Sequence, residues 1–575
     1  MLSRILDFIK TNSRKDWFCL LFVGLAAFLI TLPIAFSGVP DGNDLAQHLR
    51  FAKVFHEAIS SGDFFPGWAG GENMGFGSIG IRYYPPVAYY LMAFTQFLTG
   101  SWAQTFWLNS FFWMFLGGAG VYLWAKEWLS PWPAFFAAAL YAAVPYHSAQ
   151  IYQYLLYAEY AASGILPFCF LFATRIIRRG KFIDVLLFSA AFSLLLLTHI
   201  PLTIIGSIGL AIYALLLTDW KQPKKTIINF IIAGALSLSA TAFHWLRAVS
   251  EVSWVNHNSP QYYANGYYDY NKYFFPMFYS ANEKYGEKIL WHLDVTIIFS
   301  ILLLLPLIIY LVLQFKSDDK TGTANRKIYF TMAAAGIFSI FILSLPSAFI
   351  WNSFTLLQKT QFPWRWLALA SIFSAAGFTT GIGLLISNYE RLKKPVIYAA
   401  SLLFVSILLF DVSQNIIPAA FMPEKKFEAK VADLNEKPEC VCWWTIWAKP
   451  EAFKRREKVF ADSRAVDISR WDAERREFTI EPGAAGSARV ASFFHPHWKA
   501  ESGGAPVEVQ KADDGTIVIP VGAEKTSVKL YFQEPLKLKL ALAVSLLTWL
   551  FLVGAAFIIT YRSQRKTRSG LLAID

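Results

Sequence analysis

Residues 37–86, SGVPDGNDLAQHLRFAKVFHEAISSGDFFPGWAGGENMGFGSIGIRYYPP, form a polar interruption between long apolar segments. An opening rich in Asp and Asn (Asp41, Asn43, Asp44) supplies N-cap chemistry, and the apolar spacing behind it predicts an amphipathic helix running to about Ser60. Positions three, four and seven apart share a helix face, so Asp41, Asp44 and His48 would gather two carboxylates and an imidazole into one acid/base patch. The run from Pro66 through Gly67, Trp68, Gly70, Gly71, Gly75, Gly77 and Gly80 is too rich in glycine for regular structure, and predicts a shaped loop closing over a ligand.

Around this stretch the chain needs lipid as its solvent. Of 575 residues, 55% are hydrophobic and 16% charged, and apolar runs of about 20 residues recur. The formal charge of +12 comes mainly from short Lys/Arg clusters between apolar runs. That pattern sets topology and argues against nucleic acid as a partner. Of the four cysteines, Cys19 and Cys169 fall in predicted spans, while Cys440 and Cys442 make a C-x-C that fits no disulfide framework and reads as incidental. The first apolar run lacks a small-residue cleavage site and reads as a retained signal anchor.

Arg4, Lys10, Arg14 and Lys15 precede a span at about Trp17 to Phe36, which puts the N-terminus in the cytoplasm and the 37–86 loop outside. Pro86 to Leu98 is too short to cross and reads as a re-entrant or interfacial helix. With that choice the clusters at Arg175, Lys221, Lys316, Arg391 and Arg562 all fall inside. About 12 spans follow, in a cytoplasmic (inner) membrane with both termini cytoplasmic.

The outward segments are then the places for chemistry. They carry His147 and Glu159, His199 in T-H-I-P, Arg247 and His257 with a tyrosine run (Tyr262, Tyr263, Tyr267, Tyr268, Tyr270, Tyr273), and Lys359 and Arg365 in QKTQFPWRW. The tyrosines read first as interfacial anchoring and second as sugar-stacking faces. His495 and His497, beside Trp498, read as surface residues of a strand. Beyond Asp411, residues 412–535 become charged and punctuated by Gly and Pro, and REFTIEPG, SARVASFFHPHWKAE, PVEVQ, TIVIPV and TSVKLYF alternate at period two. They predict a small extracytoplasmic β-sandwich between a membrane domain (1–411) and a final span with a basic tail (536–575).

Several motifs carry a resemblance. The turn G-D-F-x-P-x-W (Gly62, Asp63, Phe64, Pro66, Trp68) and Tyr83-Tyr84-Pro85-Pro86 resemble GT-C-fold glycosyltransferases. Asp44 with His48, Thr198-His199-x-Pro201, Gln361 to Trp366, and FFHPHWKA at Phe493 to Ala500 are similar to YfhO-like proteins and to bacterial membrane proteins labelled 6-pyruvoyl-tetrahydropterin synthase-related. No soluble pterin-synthase zinc site accompanies that label. The resemblance implies a polytopic α-helical GT-C-like membrane fold and transfer of a sugar from a polyprenyl-phosphate donor to an extracytoplasmic glycan, lipid or protein acceptor. It implies Asp44 as general base, with His48 supporting it, binding a metal or capping the helix. Arg365 would hold the donor phosphate, with Lys359 and Arg247 as seconds, because a guanidinium grips phosphate oxygens bidentately. Asp41, Tyr83, Tyr84, His147, Glu159, His199 and His257 would line the substrate cavity. The family's metal dependence varies, and D-x-x-D (Asp41, Asp44) in place of D-D, D-E or D-x-D leaves a divalent ion, Mg or Mn, an open question. A transporter or flippase, or a non-catalytic envelope-assembly scaffold, are the rival classes. A transporter would place ionisable groups mid-span with repeated halves, and this chain keeps them at the outer rim.

Overall fold

In the computed structural model, which describes residues 2–259, 269–276, 287–315 and 323–572, the chain opens with helix α1 (Leu2–Ser37), whose segment Lys15–Ser37 is apolar enough to cross a membrane. The polar interruption then forms α2 (Leu45–Ser60), as its apolar spacing predicts. Asp44 holds the N-cap position, but its side chain makes no cap hydrogen bond. The short apolar stretch after Pro86 is a 13-residue helix, Val87–Thr99, ended by Gly100 in the left-handed conformation.

Among the described residues, eight helices are long and apolar enough to span, or nine if the pair Lys224–Ala240 and Ala242–Trp254, bent by 70°, counts as one. Other helices of the expected set fail on length or charge. Phe182–Leu196 has 15 residues, Pro131–Ala143 has 13, and Thr323–Ile342 carries Arg326 and Lys327 in its first turns. The helices Tyr157–Arg179 and Leu367–Asn388 are the most enclosed, while Leu536–Leu572 turns Leu540, Leu547, Leu550 and Phe557 outward, as a lipid-facing helix does.

The C-terminal region is built of β-sheet. Strand β1 (Val39–Pro40), just before α2, pairs antiparallel with β2 (Phe421–Met422). Then follow β3 (Val459–Phe460), β4 (Val466–Trp471), β5 (Arg475–Ile480), β6 (Gly486–Phe493), β7 (Trp498–Ser502), β8 (Ala505–Val507), β9 (Gln510–Lys511), β10 (Thr516–Val521) and β11 (Thr526–Phe532). They form two antiparallel sheets, ordered β3-β6-β10-β9 and β4-β5-β11-β7-β8. Alternation does what the sequence pattern requires: Phe478, Ile480, Val528 and Leu530 are buried while Glu477 and Lys529 are not.

The glycine-rich run packs against this region, and none of its residues from Pro66 to Gly80 lines the cavity described below. Glu474 accepts hydrogen bonds from the backbone N–H groups of Gly67 and Trp68, and Asn73 exchanges bonds with Glu439. Gly70 lies so close to Ala473, and Gly77 (φ +86°) so close to the Trp68 ring, that a Cβ at either position would collide. The glycines let a loop of the membrane domain press against residues some 400 positions later. His495 and His497, expected at the surface, are buried beneath it with Trp68, Trp498 and Phe532. Alternation within a strand reports which face a residue takes, but not what a distant loop lays over that face.

Candidate active site

A cavity of about 790 Å³ opens beside the head of α2. Three stretches bring most of its chemistry: 43–50 of the first loop, 359–365 ahead of the helix Leu367–Asn388, and 438–443 ahead of the sheets. Asp44, His48, Tyr83, Tyr84, His199, His257, Lys359 and Arg365 all line it.

Asp44 is exposed, and its carboxylate makes no hydrogen bond or ion pair among the described residues. Its accessible surface faces cavity water walled by protein. That wall desolvates the carboxylate and pushes its pKa up to about 6, with the Arg365 charge opposing and the Glu159 charge adding. One turn on, His48 is buried with Nδ1 at 2.7 Å from the Tyr89 hydroxyl. Desolvation pulls its pKa down to about 3, so it is a neutral imidazole.

Arg365 sits in a 3₁₀ turn, Pro363–Trp366. Its Nε donates to Glu159 Oε2 at 2.7 Å, its Nη1 to Thr360 O and Gln361 Oε1 at 2.7 and 2.8 Å, and the Phe362 ring lies 5.1 Å from the guanidinium. Gln361 adopts a left-handed φ of +69°, rare for a side chain of its length and held by that bond. Glu159 is fixed in turn by the Tyr146 hydroxyl at 2.6 Å and Gln150 Nε2 at 3.2 Å. Three acceptors therefore hold one side of the guanidinium, and Nη2 has no protein partner among the described residues. His199 has two tasks, accepting the Leu202 N–H through Nδ1 to cap the helix Ile200–Leu217 while lining the cavity. His257 stacks on Trp443 with ring centroids 4.7 Å apart.

Four expected cavity residues stand elsewhere. Asp41 points to the surface, paired with Lys430 at 2.6 Å, because the helix begins only at Leu45 and Asp41, ahead of its N-cap, shares no helix face with Asp44. His147 is buried against Tyr141 and Tyr146 behind the cavity wall. Glu159 lies behind Arg365 as its counter-ion. Arg247 belongs to a second buried cluster, with Glu534 at 3.2 Å, and lines no part of the cavity. In the tyrosine run, Tyr262, Tyr263, Tyr267 and Tyr268 lie outside the described residues, and Tyr270 and Tyr273 are buried against Trp351, Phe362 and Trp364. The sequence reading missed the wall 438–443. There Glu439 is buried and Cys440 and Cys442 are joined as a disulfide, so the C-x-C is neither incidental nor unpaired. Nothing local marks that wall, since its partners lie some 360 to 390 positions upstream.

Among the described residues, one group could offer three metal ligands within reach of each other: Glu251, His495 and His497, outside the cavity. Its chemistry does not fit a cation. Both Glu251 oxygens already accept from Arg82, at 2.8 Å each, and Arg82 Nη2 stands 3.3 Å from His497 Nδ1. His495 Nδ1 accepts the His497 N–H, which leaves the proton of the neutral ring on Nε2. No such group forms around Asp44 among the described residues.

Comparison with known proteins gives a family and a distant likeness. The profile of a family described as 6-pyruvoyl-tetrahydropterin synthase related domain, membrane protein, matches residues 81–417. No curated protein sequence matches. Among solved structures, ArnT from Cupriavidus metallidurans bound to undecaprenyl phosphate aligns at 14% identity over 72% of this chain and 69% of its own, with a TM-score of 0.43. The apo state of the same protein aligns at 14% identity over 64% and 78%, with a TM-score of 0.32. Likeness at this level says nothing of chemistry.

Proposed function

We propose, from the premise that this chain belongs to the 6-pyruvoyl-tetrahydropterin synthase related family of membrane proteins, that it is a GT-C-type glycosyltransferase of the cytoplasmic membrane. It moves a sugar from a polyprenyl-phosphate carrier to an acceptor hydroxyl on the extracytoplasmic side. Both termini lie in the cytoplasm, and the β-sheet region stands with the cavity outside. One observation carries the reading: a carboxylate and an arginine arm that both lack a protein partner among the described residues line the same cavity.

In this reaction the acceptor O–H gives its proton to Asp44 as its oxygen bonds to the anomeric carbon. The bond from that carbon to the phosphate oxygen breaks, and the electron pair leaves with the lipid phosphate. Arg365, aimed by Glu159, and Lys359 meet the charge that develops there. A pKa near 6 keeps Asp44 mostly ionised at neutral pH and still basic enough to accept a proton.

The test supplies membranes carrying the protein or its Asp44→Asn variant with a radiolabelled polyprenyl-phosphate sugar. An enzyme loses transfer in D44N while still binding donor. Transfer unchanged in D44N overturns the reading, and a scaffold or a transporter then becomes the better account.

A further inference from the structure

Along α2 the cavity has an order. Asp44 stands at its head, where the Arg365 charge acts on it. Gln47, on the same face, is about 4.5 Å further along the axis. There Glu439, from the wall ahead of the β-sheets, accepts from Gln47 Nε2 at 3.3 Å through Oε2 and from Asn73 Nδ2 at 3.0 Å through Oε1. Its backbone N–H returns a bond to Asn73 Oδ1 at 2.9 Å, so both its main chain and its side chain are fixed. Glu439 is 7% exposed and lines the cavity. A carboxylate offers roughly four acceptor positions, and Gln47, Asn73 and the Ser78 side chain use three of them. Burial, with the Glu72 charge adding, pushes the Glu439 pKa up to about 7 against those bonds. What remains is a pinned acceptor position with no ion pair to a cation among the described residues.

Displacement at a sugar carbon brings the incoming oxygen to the face opposite the leaving phosphate. If phosphate sits at Arg365, the acceptor takes another part of the cavity, and Gln47 and Glu439 line it within one turn of Asp44 and make no contact with Arg365 among the described residues. We propose that Gln47 and Glu439 form the acceptor subsite, and that it takes a sugar or similar polyol headgroup presenting at least two adjacent hydrogen-bond donors. One hydroxyl reaches Asp44 and its neighbour donates to Glu439, whose position sets which hydroxyl reacts. Glu439 is here a positioning residue. The carboxylate is built for donors, because an acceptor group placed against it would leave two buried lone pairs facing each other. The direction of approach rests on the transferase reading, whereas the binding chemistry of the subsite does not.

The test titrates purified full-length protein in detergent with methyl α-D-glucopyranoside and D-glucosamine, and separately with inorganic phosphate, following intrinsic tryptophan fluorescence, which Trp443 in the cavity wall contributes to. Wild type is expected to respond saturably to both sugars, Glu439→Gln to bind them at least tenfold more weakly, and phosphate to bind both proteins alike. Should E439Q fail to fold, Gln47→Leu, at a partly exposed position, is expected to weaken sugar binding at least threefold. A wild type without saturable response, or variants within twofold of it, overturns the subsite. Because the titration needs no turnover, intact sugar binding beside unchanged transfer in D44N sinks the enzyme and keeps the subsite, and the reverse pattern does the opposite.

Discussion

Two buried arginines, each gathered with carboxylates from distant parts of the chain, show how differently this molecule spends charge. Arg82, wholly buried, gives Nε and Nη2 to Glu251 and Nη1 to the Gly67 carbonyl and Glu534, with Nη2 also near His497. Every nitrogen is used, and the groups it joins come from the first loop, the bent helix pair, the sheet region and the foot of the last helix. Arg365 is buried almost as deeply, yet among the described residues Nη2 is unengaged and the nearby Asp44 carboxylate has no partner. A satisfied cluster is a joint, and an unsatisfied one is a site.

Breaking the joint is expected to cost most. Glu251→Ala leaves Arg82 buried with one carboxylate where it had two, a loss of about 3–5 kcal/mol. Thermal denaturation of the purified protein should show a midpoint so far reduced that little folded protein is recovered. At the site the same kind of change should spare the fold and remove the chemistry. Asp44→Asn is expected to slow transfer roughly 10² to 10⁴-fold, with a thermal midpoint equal to or above wild type, since no contact is lost. Glu159→Gln sharpens the contrast, because Arg365 keeps its charge but loses what aims it. Transfer should fall about 10²-fold, seen mainly as a raised donor KM, whereas a merely structural role would move stability and leave KM alone.

The smallest effect is in pH. Asp44 titrates near 6, so transfer should fall as pH drops below that value, and a wild-type pH profile checks it. Stability moves the other way. The folded chain holds this proton more tightly than the unfolded chain, whose value is near 3.8, so the Asp44 contribution grows as pH falls from 6 towards 4 and is lost as pH rises. D44N should flatten that slope, and because the carboxylate is open to cavity water the slope is shallow.

Much of this was legible in the chain itself. Apolar length and charge clusters gave a polytopic membrane protein, period two gave the sheet region, and the 37–86 loop gave α2 with Asp44 and His48 on its inner face. The Q-F-P-W-R-W stretch gave Arg365, since a cation beside an interfacial helix start needs either solvent or an anion. What was not legible is contact across hundreds of residues. Arg365 and, behind it, Arg247 both read as phosphate candidates in sequence, and the position of Glu534 engages Arg247 elsewhere. His495 and His497 looked like an outer strand edge until the glycine loop covered them. Glu439 carries no local signal of its own, because its meaning comes from Gln47 and Asn73.

The bond between Asn73 and Glu439 spans 366 residues of chain. During synthesis at roughly 5–20 residues per second, the first loop emerges and then waits on the order of 20–70 s before the segment that completes its pocket exists. Over that interval Asn73, the edge of β1 and the Trp68 turn lack their partners from the C-terminal region. Shortened products ending before β2 would present half a pocket, so the last quarter or so of the chain completes what its first seventh begins.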